Sequence, residues 1–290
     1  KIDSNGFNVT IVEGLKAGSP SGGLAKSGAG ALTLSGTSTY TGATSVNGGT
    51  LVISGAINSS SGITVNGSGA GLVVNNGFPG VTIPVTITSG KLDGTGAIGS
   101  AVIADDVANA VSAGNANAGT LTVTNLEFQG DAQLNLRATG ASMDQSINVL
   151  TSLKTTGASG KVVVNATNTN GLWTSSGSGY DYTLINYAGA AFTGSAADFI
   201  VGTVPGLNSS QSASIVDTGS SIVLRITGEP LIWTGATSAD WNTTQNNWSY
   251  LGNPISYTTG SPVEFPDGAS QFAINLTSNV TPGAIVFSNF

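Results

Sequence analysis

The sequence predicts an all-β solenoid, a parallel β-helix, followed by a β-rich extension and a tryptophan-rich C-terminal module. Three observations predict it. Leucines that open alternating strands recur at steps of about 20 residues: Leu32 in LTLSG, Leu51 in LVISG, Leu72 in LVVNN and Leu92 in KLDGTG, a period at the short end of solenoid repeats. Each strand segment is short, alternates apolar with polar residues and stops at Gly or Asn-Gly, so it offers one half-buried face and a sharp corner. Glycine fills 42 of 290 positions, and glycine alone takes left-handed backbone angles without strain. One such strand buries nothing by itself. Stacked in parallel at ~4.8 Å per layer, the inward Leu, Ile and Val form a continuous core.

The elements follow in order. KIDSNGFNVTIVEG (1–14) enters a strand pattern almost at once, and ALTLSG (31–36) returns as TLVISG (50–55). GITVNG (62–67) and VTIPVTIT (81–88) supply strands between the leucines; Pro84 predicts a break or bulge in the second, because proline donates no ladder hydrogen bond. Residues 101–113, AVIADDVANAVSA, come nearest to a helical period, against which stand their β-branched residues and flanking glycine. Beyond about residue 100 the strands lengthen and spread: TLTVTNLEF (120–128), AQLNLRATG (132–140), SINVLTSL (146–153), GKVVVNAT (160–167), YDYTLINYAG (180–189) and SSIVLRITG (220–228). These read as further coils with larger loops or as a sandwich-like extension. From Glu229 the character changes, and PLIWTGATSADWNTTQNNWSY (230–250) holds three of the four tryptophans. The expected units are therefore 1–128, 129–228 and 229–290.

Composition excludes several classes of function. Only 8% of residues are charged, against roughly 25% in ordinary soluble domains, so the surface is built of Ser, Thr, Asn and Gly. The net charge of −7 is spread thinly, with no run of charge longer than Asp105-Asp106. Nucleic acid and anionic membrane surfaces find no electrostatic footprint. No apolar stretch approaches the ~18 residues of a membrane span, and residues 1–30 lack the pattern of a signal peptide. A chain that starts at Lys1 reads as a mature product or an excised piece. The absence of Cys and His removes disulfides, thiol catalysis, cysteine metal sites and the commonest general base.

The remaining candidates for chemistry each have a plainer reading. Asp105-Asp106 could bind calcium in a loop, but neighbours on a strand point to opposite faces, so a solvated turn is expected. Asp93, Asp131, Asp144, Asp181 and Asp217 lie beside Gly, Ser or Thr, where short carboxylates brace turns. GTGAIG (94–99) imitates a phosphate loop without the helix that should follow. A Ser-Lys dyad needs a buried lysine, and Lys16, Lys26, Lys91, Lys154 and Lys161 all sit near glycine in settings read as solvated turns. No catalytic, metal-binding or cofactor-binding residue is assigned. Trp233, Trp241 and Trp248 are candidates either for stacking on a sugar or for packing a small core.

At GLAKSGAGALTLSGTSTYTGATSVNGGTLVISG (23–55) the chain resembles the autotransporter-associated β-strand repeat of secreted bacterial passenger domains. Lys26, GAGALTLSG (28–36), TYTGATSVNGGTL (39–51) and the Gly48-Gly49 corner carry the match. YTLINYAG (182–189) and IWTGATSADWNTTQNNW (232–248) are weaker echoes. The resemblance implies a right-handed parallel β-helix, export to the bacterial cell surface or exterior, and a structural or adhesive role. In such arrays the tryptophan segment precedes the repeat, whereas here it follows, so residues 229–290 are expected to open a next tandem module. The expected function is a non-enzymatic stalk, filament or surface coat that stacks head-to-tail. The rivals are an adhesin that binds surface glycans and a β-helix polysaccharide lyase.

Overall fold

The computed structural model describes residues 1–20, 22–76, 83–156, 160–171, 173–175, 179–208 and 210–288. The fold is all-β, with a single short 3-10 turn at Ala196–Asp198 among the described residues. Its largest sheet has 20 strands, and nearly all of its pairings are parallel.

Two parallel ladders carry this sheet. In the first, Ile2 pairs with Lys26, Lys26 with Val46, Val46 with Val65, Val65 with Ile87, Ile87 with Ile103 and Ile103 with Phe128. In the second, Val9 pairs with Leu32, Leu32 with Leu51, Leu51 with Leu72, Leu72 with Leu92, Leu92 with Val111 and Val111 with Leu134. The four leucines that set the period thus lie directly above one another, each 0% exposed. Side chains alternate along a strand, so slipping one strand by a residue would turn its leucine outward and forfeit about 2 kcal/mol of burial. Register is fixed by that penalty.

Residues 101–113 contain no helix: Ala97–Ile103 and Ala110–Ser112 are strands. Their β-branched residues sit in ladder positions, where tertiary pairing outweighs a short helical period. Pro84 opens the strand Pro84–Gly94, a place where a missing N–H does no harm, and the expected irregularity falls farther along it, as register shifts against Ile63–Val74 between Ile87 and Ser89 and between Ser89 and Lys91; residues 81 and 82 of the expected strand lie outside the described residues.

The parallel order gives way towards the end of the large sheet. Tyr180–Asn186 runs antiparallel to Ser221–Gly228, which runs antiparallel to Gln211–Asp217. Residues beyond Glu229 form sheets of their own. Leu231–Trp233 lies between antiparallel Trp248–Tyr250 and parallel Val263–Pro266, and Ile285–Ser288 extends the parallel side. A separate apolar cluster of Leu231, Trp233, Trp241, Trp248, Tyr257, Val263 and Phe265 fills this part. Polar contacts join it to the large sheet: Gln211 Nε2 donates to Trp173 O at 2.7 Å and to Gly260 O at 3.3 Å, and Asn208 Nδ2 donates to Ser261 Oγ at 3.1 Å.

Candidate functional site

The most distinctive polar chemistry lies inside the stack, where successive layers turn corners. Lys26, expected in a solvated turn, is 0% exposed. The strand Leu24–Ser27 explains it: alternation puts Lys26 on the same side as Leu24, facing inward, in a column otherwise made of Ile2, Val46, Val65 and Ile87. Its ammonium then reaches the corner. Nζ donates to Gly28 O at 2.7 Å, Gly48 O at 2.9 Å and Ser27 O at 3.0 Å. An ammonium has three donors, and all three are used. Two of the acceptors belong to its own layer and one to the next, so a single side chain ties adjacent corners together. Burial pulls the Lys26 pKa below its ordinary value, and the nearby Asp3 carboxylate opposes that shift.

Glycine is required where the clamp closes. Gly49 has φ +60°, and a Cβ there would lie 2.2 Å from Gly30 O and 2.7 Å from Lys26 Nζ. Farther along the same series of corners Asn109, also 0% exposed, does for other layers what Lys26 does here. Its Nδ2 donates to Ala104 O at 2.9 Å and Ile87 O at 3.2 Å, and its Oδ1 accepts from Gly90 N at 2.8 Å.

A second fastener sits at another corner. Tyr40, Thr44 and Ser60 are buried, with Tyr40 Oη 2.7 Å from Thr44 Oγ1 and Thr44 Oγ1 3.2 Å from Ser60 Oγ. Ser60 Oγ lies 3.0 Å from both Gly42 O and Gly62 O and shares its one proton between them, which again bridges two layers. Some of these carbonyls also accept a backbone N–H, Ser27 O from Ser4 N at 3.1 Å and Gly62 O from Thr44 N at 2.8 Å; for the others, leaving a buried carbonyl unpaired costs about 1–3 kcal/mol.

The aspartates that the sequence singles out brace the backbone, pair with arginine or, at Asp217, also accept from a tyrosine. Asp105 Oδ1 accepts from Asp131 N at 2.7 Å and Asp106 Oδ1 from Ala108 N at 2.9 Å. Asp131 and Asp93 likewise accept from backbone N–H groups. Asp144 and Asp181 instead face arginines, Arg137 at 2.9 Å and Arg225 at 2.6 Å, in partly exposed pairs worth at most about 1 kcal/mol each. Asp217 accepts from Tyr187 Oη and from Gly219 N. Among the described residues no group of three or more Asp or Glu is gathered as a metal site would need, and GTGAIG runs from one strand into the next.

Trp233, Trp241 and Trp248 are 1%, 5% and 0% exposed. Their rings pack on one another and on Phe265, with Trp233–Trp248 and Trp241–Trp248 centroids 5.0 and 5.1 Å apart in T-shaped contact. As placed, they offer a sugar no free ring face. Asn247, buried among them, accepts from Thr237 N and Ser238 N and donates to Asp240 O, which fixes the loop that brings Trp241 against Trp248.

Four buried tyrosines bear on the response to alkali: burial raises the pKa of Tyr40 and Tyr182 as well as those of Tyr187 and Tyr257. The pKa of Tyr187 is pushed up to about 12, chiefly by burial and then by its bond to Asp217, and that of Tyr257 to about 12 by burial. In the unfolded protein both ionise near pH 10. Raised folded values mean that the folded state keeps its protons longer, so this stability is intact below about pH 10 and is lost as the pH rises towards 12. Lys26 has the opposite sign: its lowered folded value makes its contribution grow as the pH climbs towards the ordinary lysine range. Alkaline unfolding is therefore expected between about pH 10 and 12, and Tyr257→Phe should shift the midpoint upward in a circular-dichroism titration. An unchanged midpoint would remove Tyr257 from that account.

No curated protein matches the chain. Residues 24–53 match a family model described as the passenger-associated-transport-repeat, bearing out the resemblance to an autotransporter-associated repeat, and the matched stretch begins with the strand that carries Lys26 and ends at Ile53, directly above Leu34.

Proposed function

We propose that the protein is a length of non-enzymatic structural rod, a right-handed parallel β-helix displayed outside a bacterial cell as stalk, filament or coat. The observation that supports this most is the continuous register of the two ladders. Every layer from Ile2 to Phe128 places an inward side chain over the one beneath it, and the fixed chemistry sits at corners, tying layer to layer. The passenger-associated repeat supports export to the surface. Such a stack grows by adding layers. Growth of that kind is head-to-tail, by tandem modules of one polypeptide or by separate protomers in an open heterologous array. Low charge reduces the repulsion that would oppose close packing. Electron microscopy of the purified protein should show elongated particles or fibres. Compact, monodisperse monomers would overturn the reading.

A further inference from the structure

We propose that Asn47-Gly48 is the preferred site of spontaneous deamidation among the Asn-Gly pairs that lie wholly within the described residues, and that the change opens the Lys26 clamp. The chemistry needs only water. The backbone nitrogen of Gly48 loses its proton to solvent and attacks Cγ of the Asn47 carboxamide; the new N–C bond forms, the bond from Cγ to the amide nitrogen Nδ2 breaks and ammonia leaves. Water then opens the five-membered imide at either carbonyl, giving aspartate or isoaspartate. A following glycine favours the attack because no Cβ crowds the nitrogen.

The structure separates this pair from the other Asn-Gly pairs among the described residues. Asn47 is exposed, and neither its carboxamide nor the Gly48 N–H has a hydrogen-bond partner among the described residues. At Asn5-Gly6 the attacking N–H is held by Ala29 O at 2.8 Å, and at Asn170-Gly171 by Asn168 O at 2.9 Å. Asn66-Gly67 is held extended within the strand Ile63–Val74. The Lys26 ammonium, 2.9 Å from Gly48 O, also favours the negative charge that develops on the Gly48 nitrogen.

The consequence follows from geometry. Isoaspartate adds a methylene to the backbone between residues 47 and 48, displacing Gly48 O from Lys26. Gly49 cannot follow, because it is already packed against Gly30 O in a left-handed conformation. Lys26 then keeps a buried charge with one acceptor fewer.

The test is peptide mapping by mass spectrometry of the whole protein after incubation in mildly alkaline buffer. Asn47 should convert about tenfold faster than Asn5 or Asn170, the factor expected when one net hydrogen bond must be broken first. In denaturant the three rates should converge. Equal rates in the folded protein, or a slower Asn47, would overturn the assignment. The aged protein should also melt at a lower temperature, whereas Asn47→Gln should age without that loss. Conversion at Asn47 with unchanged melting would refute the link to the clamp.

Discussion

Lys26→Met should lower the stability of the stack by about 3 kcal/mol, because it leaves two buried carbonyls unpaired at about 1–3 kcal/mol each. Methionine fits the apolar column of Val46 and Val65 but leaves the carbonyls of Gly28 and Gly48 without their donor, while Ser27 O keeps Ser4 N–H at 3.1 Å. The midpoint of denaturant unfolding should fall while its slope stays constant. Lys16→Met is the control, because Lys16 is exposed and should stay within about 0.5 kcal/mol of the parent. Equal effects at the two lysines would mean that solvent serves those carbonyls and that the clamp holds nothing.

Trp248→Ala should cost about 4 kcal/mol, and its effect should stay within residues 231–288. The side chain is 0% exposed and touches Trp233, Trp241, Tyr257 and Phe265, so truncation empties the centre of a small core that has little else to bury. Limited proteolysis should then cut within this segment and spare the ladders that precede it. Trp248→Phe should be much milder, since the indole N–H has no acceptor among the described residues and only ring volume is lost. Unfolding of both parts together would show that one cooperative core spans the protein.

Much of the stack is legible in the residues. Alternation gives each strand its inward face, and the recurrence of Leu32, Leu51, Leu72 and Leu92 gives the layer spacing, because a half-apolar strand has nowhere else to bury itself. The tryptophans are legible only as a cluster with two readings, and burial favours packing. At Lys26 the local sequence misleads. Its neighbours Ser27 and Gly28 look like a turn, yet the step of two from Leu24 is the available sign that it faces inward. The antiparallel arrangement of residues 180–228 has no such sign, since an alternating strand looks the same whichever direction its neighbour runs.

By itself, then, the sequence determined that the protein is all-β, that it repeats, and which face of each strand is buried, because these depend on local periodicity and on the conformational freedom of glycine. The tertiary structure alone decided where the corner carbonyls lie. A carbonyl left over in one layer finds its donor in a residue some twenty positions away, as Gly48 O does in Lys26 at a separation of 22 residues, and no local pattern specifies that meeting. It is fixed only when the layers stack and water is shut out.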